Sequence, residues 1–392
     1  MNTTISDEQF SIIRGGLLEK ALTLIRIVRP NHPQNMIRTV IFFIVIAWLP
    51  LLIMTLISGQ FLSGEVQVPF LYDFPFHIRF LMAVPMLFMA EKIVDERVKL
   101  VVHQFNKAGL LHEEGLKEFE LAKMKADRMV ESSWAEAIIL VLIVGNQIFR
   151  WVINDDLISS WQFPGLPNND AMSNAGFWSL TVSIPIFQFI VLRWLWRWII
   201  WFRLHFMISK ASLNLSPTHP DRAGGIGFLG EPPAPFSMIT MTFSVVISSV
   251  IASRMIFFNA ELSSFYVLIG VFVLICVLIN IVPLLIYFKP LRYTRIKGIF
   301  EYSALVQKHH LQFKAKWFKS TTNEELLIGN PDISSMCDFT PVYDAIVKMN
   351  PFPFNIKTML AAVVASVAPL VPLAALTMPL ADLLKVLVGL IL

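Results

Sequence analysis

Residues 193–206 read RWLWRWIIWFRLHF, four tryptophans and three arginines at the end of an apolar run that begins near residue 176. A helix needs about 20 apolar residues to cross roughly 30 Å of hydrocarbon, so this stretch marks where a spanning helix leaves a membrane. The pattern extends outward through the whole chain. Of 392 residues, 55% are hydrophobic and 15% charged, whereas soluble domains carry about a quarter charged residues. The fold class this implies is all-α, a polytopic integral membrane protein.

Apolar runs of spanning length fall at 39–59, 74–93, 134–154, 176–200, 236–258, 265–288 and 358–379, and the tail ADLLKVLVGLIL (381–392) is a short eighth candidate. About seven spans are expected. Basic loops stay on the cytoplasmic side. Residues 1–38 hold five Lys/Arg, 92–128 eight, 197–222 four and 289–357 ten, while 60–76, 153–176 and 259–264 hold none. This places the N-terminus in the cytoplasm and the protein in the inner (plasma) membrane, as a multi-pass chain. The opening MNTTISDEQF has acids where a cleavable leader wants a basic region, so insertion is expected to fall to the first span.

With that orientation, RWLWRWIIWFRLHF sits at the cytoplasmic end of the fourth span. At about 100° per residue, Trp194, Trp198, Trp201 and His205 share one face, Arg193 and Arg197 a neighbouring one, and Arg203 lies away from both. A voltage sensor needs one ribbon of basic residues, which this is not. Indoles at headgroup level and arginines reaching for phosphates make a boundary anchor the ordinary reading, with the lining of an inner vestibule as the alternative.

Arg79, Arg150 and Arg254 lie in the outer thirds of the second, third and fifth spans. They read either as snorkelling residues paired with the outer-loop acids Glu65, Asp73, Asp155, Asp156, Asp170 and Glu261, or as an arginine-lined mouth that gathers anions. Nearer the midplane sit Asn146, Gln147, Gln188 and Asn280. Pro85, Pro185 and Pro283 interrupt three spans and permit bends or half-helices. A small-residue stripe, Ser237, Ser244, Ser248 and Ala252, reads as close helix packing or as a wet path. Glu91 and Glu136 stand near span ends, so no carboxylate lies mid-span for a proton relay.

The loop SPTHPDRAGGIGFLGEPPAP (216–235) combines His219, Asp221 and Arg222 with Gly224, Gly225 and Gly227. Glycines allow positive φ and free N–H groups, the requirement for an anion-holding nest, and Arg222 would add a bidentate contact. Neither the Rossmann nor the P-loop pattern is met. A rigid connector capped by Asp221 is the competing reading.

The remaining organisation follows the charge pattern. Residues 1–37 are expected to form an amphipathic interfacial helix, with Phe10, Ile13, Leu17, Ala21, Leu24 and Val28 as its stripe. Spans one and two occupy 38–93, a cytoplasmic helical hairpin 94–133, and spans three to six 134–288. A cytoplasmic helical region follows at 289–356, with a heptad-like seam at Ile296, Ile299, Ser303, Val306, His310, Phe313 and Trp317. Within it, prolines bracket a short helix from Pro341 to Met349, and 357–392 hold the seventh span and the tail. His103, His112, His309, His310 and Cys337 fit no standard metal spacing, so no metal or cofactor is expected. No nucleic-acid pattern appears, and the net charge of +4 belongs to the inner loops.

The function this favours is a passive channel or facilitative transporter for small anions, expected to be homo-oligomeric within the lipid bilayer. Two other classes stay open: an enzyme acting on lipid or isoprenoid phosphate headgroups with His219, Asp221 and Arg222, and a receptor or scaffold for a cytoplasmic partner. No catalytic nucleophile is identified, so catalysis is not the expected reading.

Overall fold

The computed structural model describes residues 10–13, 15–29, 34–62, 66–152, 159–166, 171–230, 234–318 and 331–377. The expected eighth run 381–392, and the loop acids Glu65, Asp155, Asp156 and Asp170, lie outside them. Among the described residues the chain is helical, with only two isolated bridges, Val68 to Ser160 and Leu111 to Leu213. In order come α1 (Gly16–Leu24), α2 (Asn35–Ala47), α3 (Leu49–Ile57), α4 (Phe74–His77), α5 (Val84–Lys107), α6 (Glu113–Val130) and α7 (Ser133–Val152). Then follow α8 (Asn174–Trp178), α9 (Ile184–Lys210), α10 (Ala234–Phe258), α11 (Tyr266–Leu285), α12 (Phe288–Phe318), α13 (Pro331–Val347) and α14 (Ile356–Val367).

Six stretches are long and apolar enough to cross a membrane: Asn35–Ile57, Ser133–Arg150, Asn174–Lys210, Phe236–Phe258, Leu262–Leu285 and Ile356–Leu376. The chain is thus a multi-pass membrane protein by the length and composition of its helices. The run at 74–93 is not one of the six. His77, Arg79 and Glu91 dilute its hydropathy, and its apolar side chains Phe76, Phe80, Val84, Leu87, Phe88 and Ala90 turn inward. One side of this helix thus faces α10 and α2, which pack along it, while Phe74, Leu81, Met82 and Met89 are exposed on the other.

Two prolines expected to interrupt spans are absorbed without a break. A proline lacks the N–H for the carbonyl four residues back and its ring crowds that carbonyl. Immediately before Pro85 and Pro185 the helix widens into π-helical turns, Ile78–Ala83 and Ser179–Ser183. There Val84 N–H donates to Arg79 O and Ile184 N–H to Ser179 O, one residue further back than in an α-helix. The helical path therefore continues from Phe74 to Lys107 and from Asn174 to Lys210.

At the end of the bundle where the basic loops gather, α6 lies along α9 and α12 pairs with α13. α13 starts at Pro331, well before the short helix expected at Pro341. The fixed φ and missing N–H of proline suit the first helical position, and Pro341 is carried inside the helix.

Candidate functional site at the two ends of the bundle

Arg193 and Arg197 stand one turn apart on α9, so both guanidinium groups reach the same neighbours. Arg197 Nη1 lies 2.6 Å from Glu91 Oε1 of α5, and Arg193 Nη1 lies 3.7 Å from the same oxygen. Arg193 Nε lies 3.3 Å from Glu136 Oε1 of α7. A buried ion pair persists only when its remaining donors and acceptors are also satisfied. Here the N-terminal segment completes the set: Arg197 Nη2 donates to Ile13 O and Arg193 Nη2 to Gly15 O, both at 3.0 Å. Glu136 Oε2 in return accepts the N–H groups of Leu17 and Leu18, and Arg197 stacks 4.9 Å from the Trp194 ring.

This arrangement depends on a local break at Gly15–Gly16. Their φ angles are +122° and +88°, which L side chains avoid, and a Cβ on Gly16 would stand 2.3 Å from Glu136 Oε1. The chain before the break runs inward. Phe10 and Ile12 are fully buried, and Ser11 Oγ bonds Asp95. The expected amphipathic stripe is therefore split: Phe10 and Ile13 enter the core, while Leu17 and Leu24 are exposed on the short helix α1.

The boundary-anchor reading of RWLWRWIIWFRLHF is corrected by the same geometry. Trp194, Trp201, Arg193 and Arg197 are buried, Trp198 Nε1 donates to Ile279 O at 2.8 Å, and Trp196 Nε1 to Met129 O at 3.3 Å. His205 is fully buried with Nδ1 2.8 Å from the Tyr287 hydroxyl. The helices α6 and α7 pack on α9 and cover the faces that would otherwise meet headgroups. The signal for this was present in the sequence: two arginines at i and i+4 cannot pair with each other, and Glu91 and Glu136 were acids near the ends of two other helices.

Arg150 lies 14 residues beyond Glu136 on α7, about 21 Å along the axis at 1.5 Å per residue, and so belongs to the opposite end. Arg79 sits there too, in the π-helical turn, and the charges of Asp73 and Arg150 both reach it. Asp73 is already engaged. One oxygen caps the helix by accepting Phe76 N–H at 3.1 Å, and the other accepts Trp161 Nε1 at 3.0 Å. His77 is held between Trp48 Nε1 at 2.9 Å and Phe70 O at 2.8 Å, which fixes its tautomer. Among the described residues Arg79 and Arg150 form no ion pair. Arg254 is exposed, with its guanidinium 4.5 Å from the Phe258 ring one turn on in α10.

Of the midplane residues, Gln147 Nε2 donates to Gln188 Oε1 at 2.8 Å and joins α7 to α9. Among the described residues Gln147 Oε1 has no partner. Beside this pair a cavity of about 270 Å³ opens, lined by Leu142, Ile143, Asn146, Phe187, Gln188 and Val191 among others. Asn280 is elsewhere: it donates to Cys276 O at 2.8 Å, and its carbonyl accepts from Ser237 at 3.4 Å. The stripe on α10 faces protein, with Ser244 Oγ donating to Ser366 O of α14 at 2.5 Å.

In the loop at 216–230 a nest forms, and Asp221 fills it. Its Oδ1 accepts Ala223 N–H at 2.8 Å and Gly225 N–H at 3.1 Å, and its Oδ2 accepts Gly227 N–H at 2.8 Å. His219 Nδ1 lies 2.8 Å from Oδ1. Burial pushes the carboxyl pKa up, but the three backbone donors and His219 outweigh it and hold the pKa below the ordinary carboxylate value. Arg222, Gly224 and Gly225 take positive φ. Arg222 O accepts Asn350 N–H at 2.7 Å while its side chain points to solvent. A Cβ on Gly225 would meet Leu110 at 2.9 Å. The loop thus wedges between the α5–α6 connection and residues 349–350.

His103, His112, His309, His310 and Cys337 do not assemble: among the described residues no three His, Cys, Asp or Glu side chains are grouped to hold a metal ion. No protein-family model matches the chain, and no curated protein or solved structure is detectably similar to it.

Proposed function

We propose that the chain is an inner-membrane protein of seven spans, the six apolar stretches plus the helix at 74–93, with a cytoplasmic N-terminus and α6, α12 and α13 in a cytoplasmic layer. It works as a homo-oligomer and passes small anions down their gradient. The observation that supports this most is the pair Arg79 and Arg150. Two guanidinium groups from different helices lie in each other's field, and Asp73, the described acid whose charge reaches Arg79, is already bound to Trp161 and Phe76 N–H. Like charges held together raise each other's free energy unless an anion joins them, and rings of arginine are how pores favour negative ions. Arg254 adds a third positive charge at that end. Asn146, Gln147 and Gln188 offer polar contacts half way along, and the loop at 216–230, with Arg222 at its surface, is the inner gate. Arg193 and Arg197, neutralised by Glu91 and Glu136 and bonded to Gly15 O and Ile13 O, represent the closed inner end.

The test is flux of chloride, nitrate, phosphate and potassium from liposomes holding purified, correctly inserted protein, beside Arg79→Ala. Selective anion flux that falls in the variant is the expected result. Equal flux of potassium and chloride, or silence to every ion, would overturn the reading.

A further inference from the structure

α12 begins three residues after α11 ends, across a non-helical step at Ile286–Tyr287 flanked by Pro283 and Pro290. Its first turn therefore leaves from the end of an apolar stretch long enough to span a membrane. α13 covers one face of it: Ser303 Oγ donates to Tyr343 at 3.2 Å, His309 bonds Ser335 at 3.1 Å, and Lys316 reaches Asp332 at 2.7 Å. Most of the expected seam, Ile299, Ser303, Val306, Phe313 and Trp317, is half-buried on this side.

The adjoining face, about 100° round the helix from that seam, carries exposed apolar side chains among the described residues. At 100° per residue, Tyr293, Ile296, Phe300, Leu311 and Phe318 fall within about 60° of one another, and Tyr293, Phe300, Leu311 and Phe318 are 69%, 71%, 59% and 76% exposed. Lys297 and Lys308 flank this stripe on one side and Lys314 on the other. Across Phe288–Phe318 there are seven Lys/Arg and a single acid, Glu301.

We propose that this face docks on the anionic phospholipid surface of the membrane that the same chain spans. An apolar stripe bordered by lysines is the form of an interfacial helix: aromatic and aliphatic side chains enter the acyl boundary while flexible ammonium groups reach the phosphates. Each basic residue near an anionic leaflet adds to the attraction. A second copy is disfavoured as occupant, because pairing stripe to stripe would set Lys297, Lys308 and Lys314 against their own equivalents with only Glu301 to offset them. The inference goes beyond anion conduction and stands if that reading fails.

The experiment uses the full chain in lipid nanodiscs, with exposed Cys337→Ser as background. An environment-sensitive dye is placed at Leu311→Cys on the stripe or, as reference, at Asp338→Cys on α13. In discs containing phosphatidylglycerol the dye at position 311 is quenched by nitroxide-bearing lipid and the reference is not, and phosphatidylcholine alone or high salt releases it. Neutralising Lys297, Lys308 and Lys314 together to Gln lowers the docked-to-undocked ratio roughly a hundredfold. Quenching at 311 that ignores lipid charge would overturn the proposal. So would a spin label at 311 found close to that of a second copy in place of quenching, since it would give the face to a dimer.

Discussion

Arg197 and Arg79 are the same side chain at opposite ends of one bundle, and their surroundings differ in every respect that matters electrostatically. Arg197 is buried with a carboxylate at 2.6 Å, a backbone carbonyl at 3.0 Å and an indole beneath it. Arg79 shares its field with another arginine and with an acid already bound elsewhere. A charge whose donors are all answered by the protein holds helices together. One whose donors are left over is available to a ligand. Counting arginines near membrane boundaries cannot separate the two; the position of the acids can.

The largest effect that would sharpen this contrast is at the saturated end. Arg197→Ala removes a buried guanidinium, leaving the half-buried Glu91 without its closest cation and Ile13 O without its donor, and is expected to cost about 3 kcal/mol, whereas Arg79→Ala, which breaks no ion pair among the described residues, stays within about 0.5 kcal/mol. Thermal unfolding of the two variants in the same detergent measures the difference, and similar losses for both would erase the comparison. Next comes Gly16→Ala. It places a methyl group on Glu136 at a φ of +88°, so about 2–3 kcal/mol of strain is expected, together with cleavage at residues 10–16 by a protease that leaves the parent intact.

Asp221→Asn is expected to cost about 1–2 kcal/mol, because backbone N–H groups lose a charged acceptor. The pH dependence has a definite sign. The folded-state pKa lies below the unfolded one, so the stabilisation is present above the ordinary carboxylate pKa and is lost as pH falls through the lower, folded value. The parent should lose more stability on acidification than Asp221→Asn, whose remaining bound carboxylates still titrate; parallel curves would remove Asp221 from its place as the loop's keystone. Smallest is Gln147→Leu, which removes one hydrogen bond between α7 and α9 and is expected to cost about 0.6 kcal/mol, read from the same unfolding measurement.

Much of this architecture was legible before any coordinates. Run length and hydropathy located five of the six apolar stretches to within about four residues at each end, because spanning a bilayer constrains sequence strongly, while the fourth runs ten residues beyond the expected end, to Lys210. Where pairing rather than periodicity decides, the reading fell short. The helix at 74–93 looks like its neighbours because burial against protein and exposure to lipid both favour apolar side chains, and its own are divided between the two. The helix expected from Pro341 starts ten residues earlier, at Pro331, because proline opens helices as readily as it ends them. Gly15 and Gly16 were passed over inside an apparently regular stripe, and with them the inward path of Phe10 to Ile13. The glycines of the 216–235 loop did announce a nest. Its occupant, Asp221 from the same loop, followed from a side-chain position that spacing alone does not give.

The measurement that tests the contrast most directly is the anion-over-cation permeability ratio of liposomes carrying Arg79→Glu/Arg150→Glu, in protein that unfolds at the parent temperature. With the attractor reversed, the ratio should fall toward or below unity. A ratio unchanged from the parent would mean that these arginines, like Arg193 and Arg197, serve only the fold.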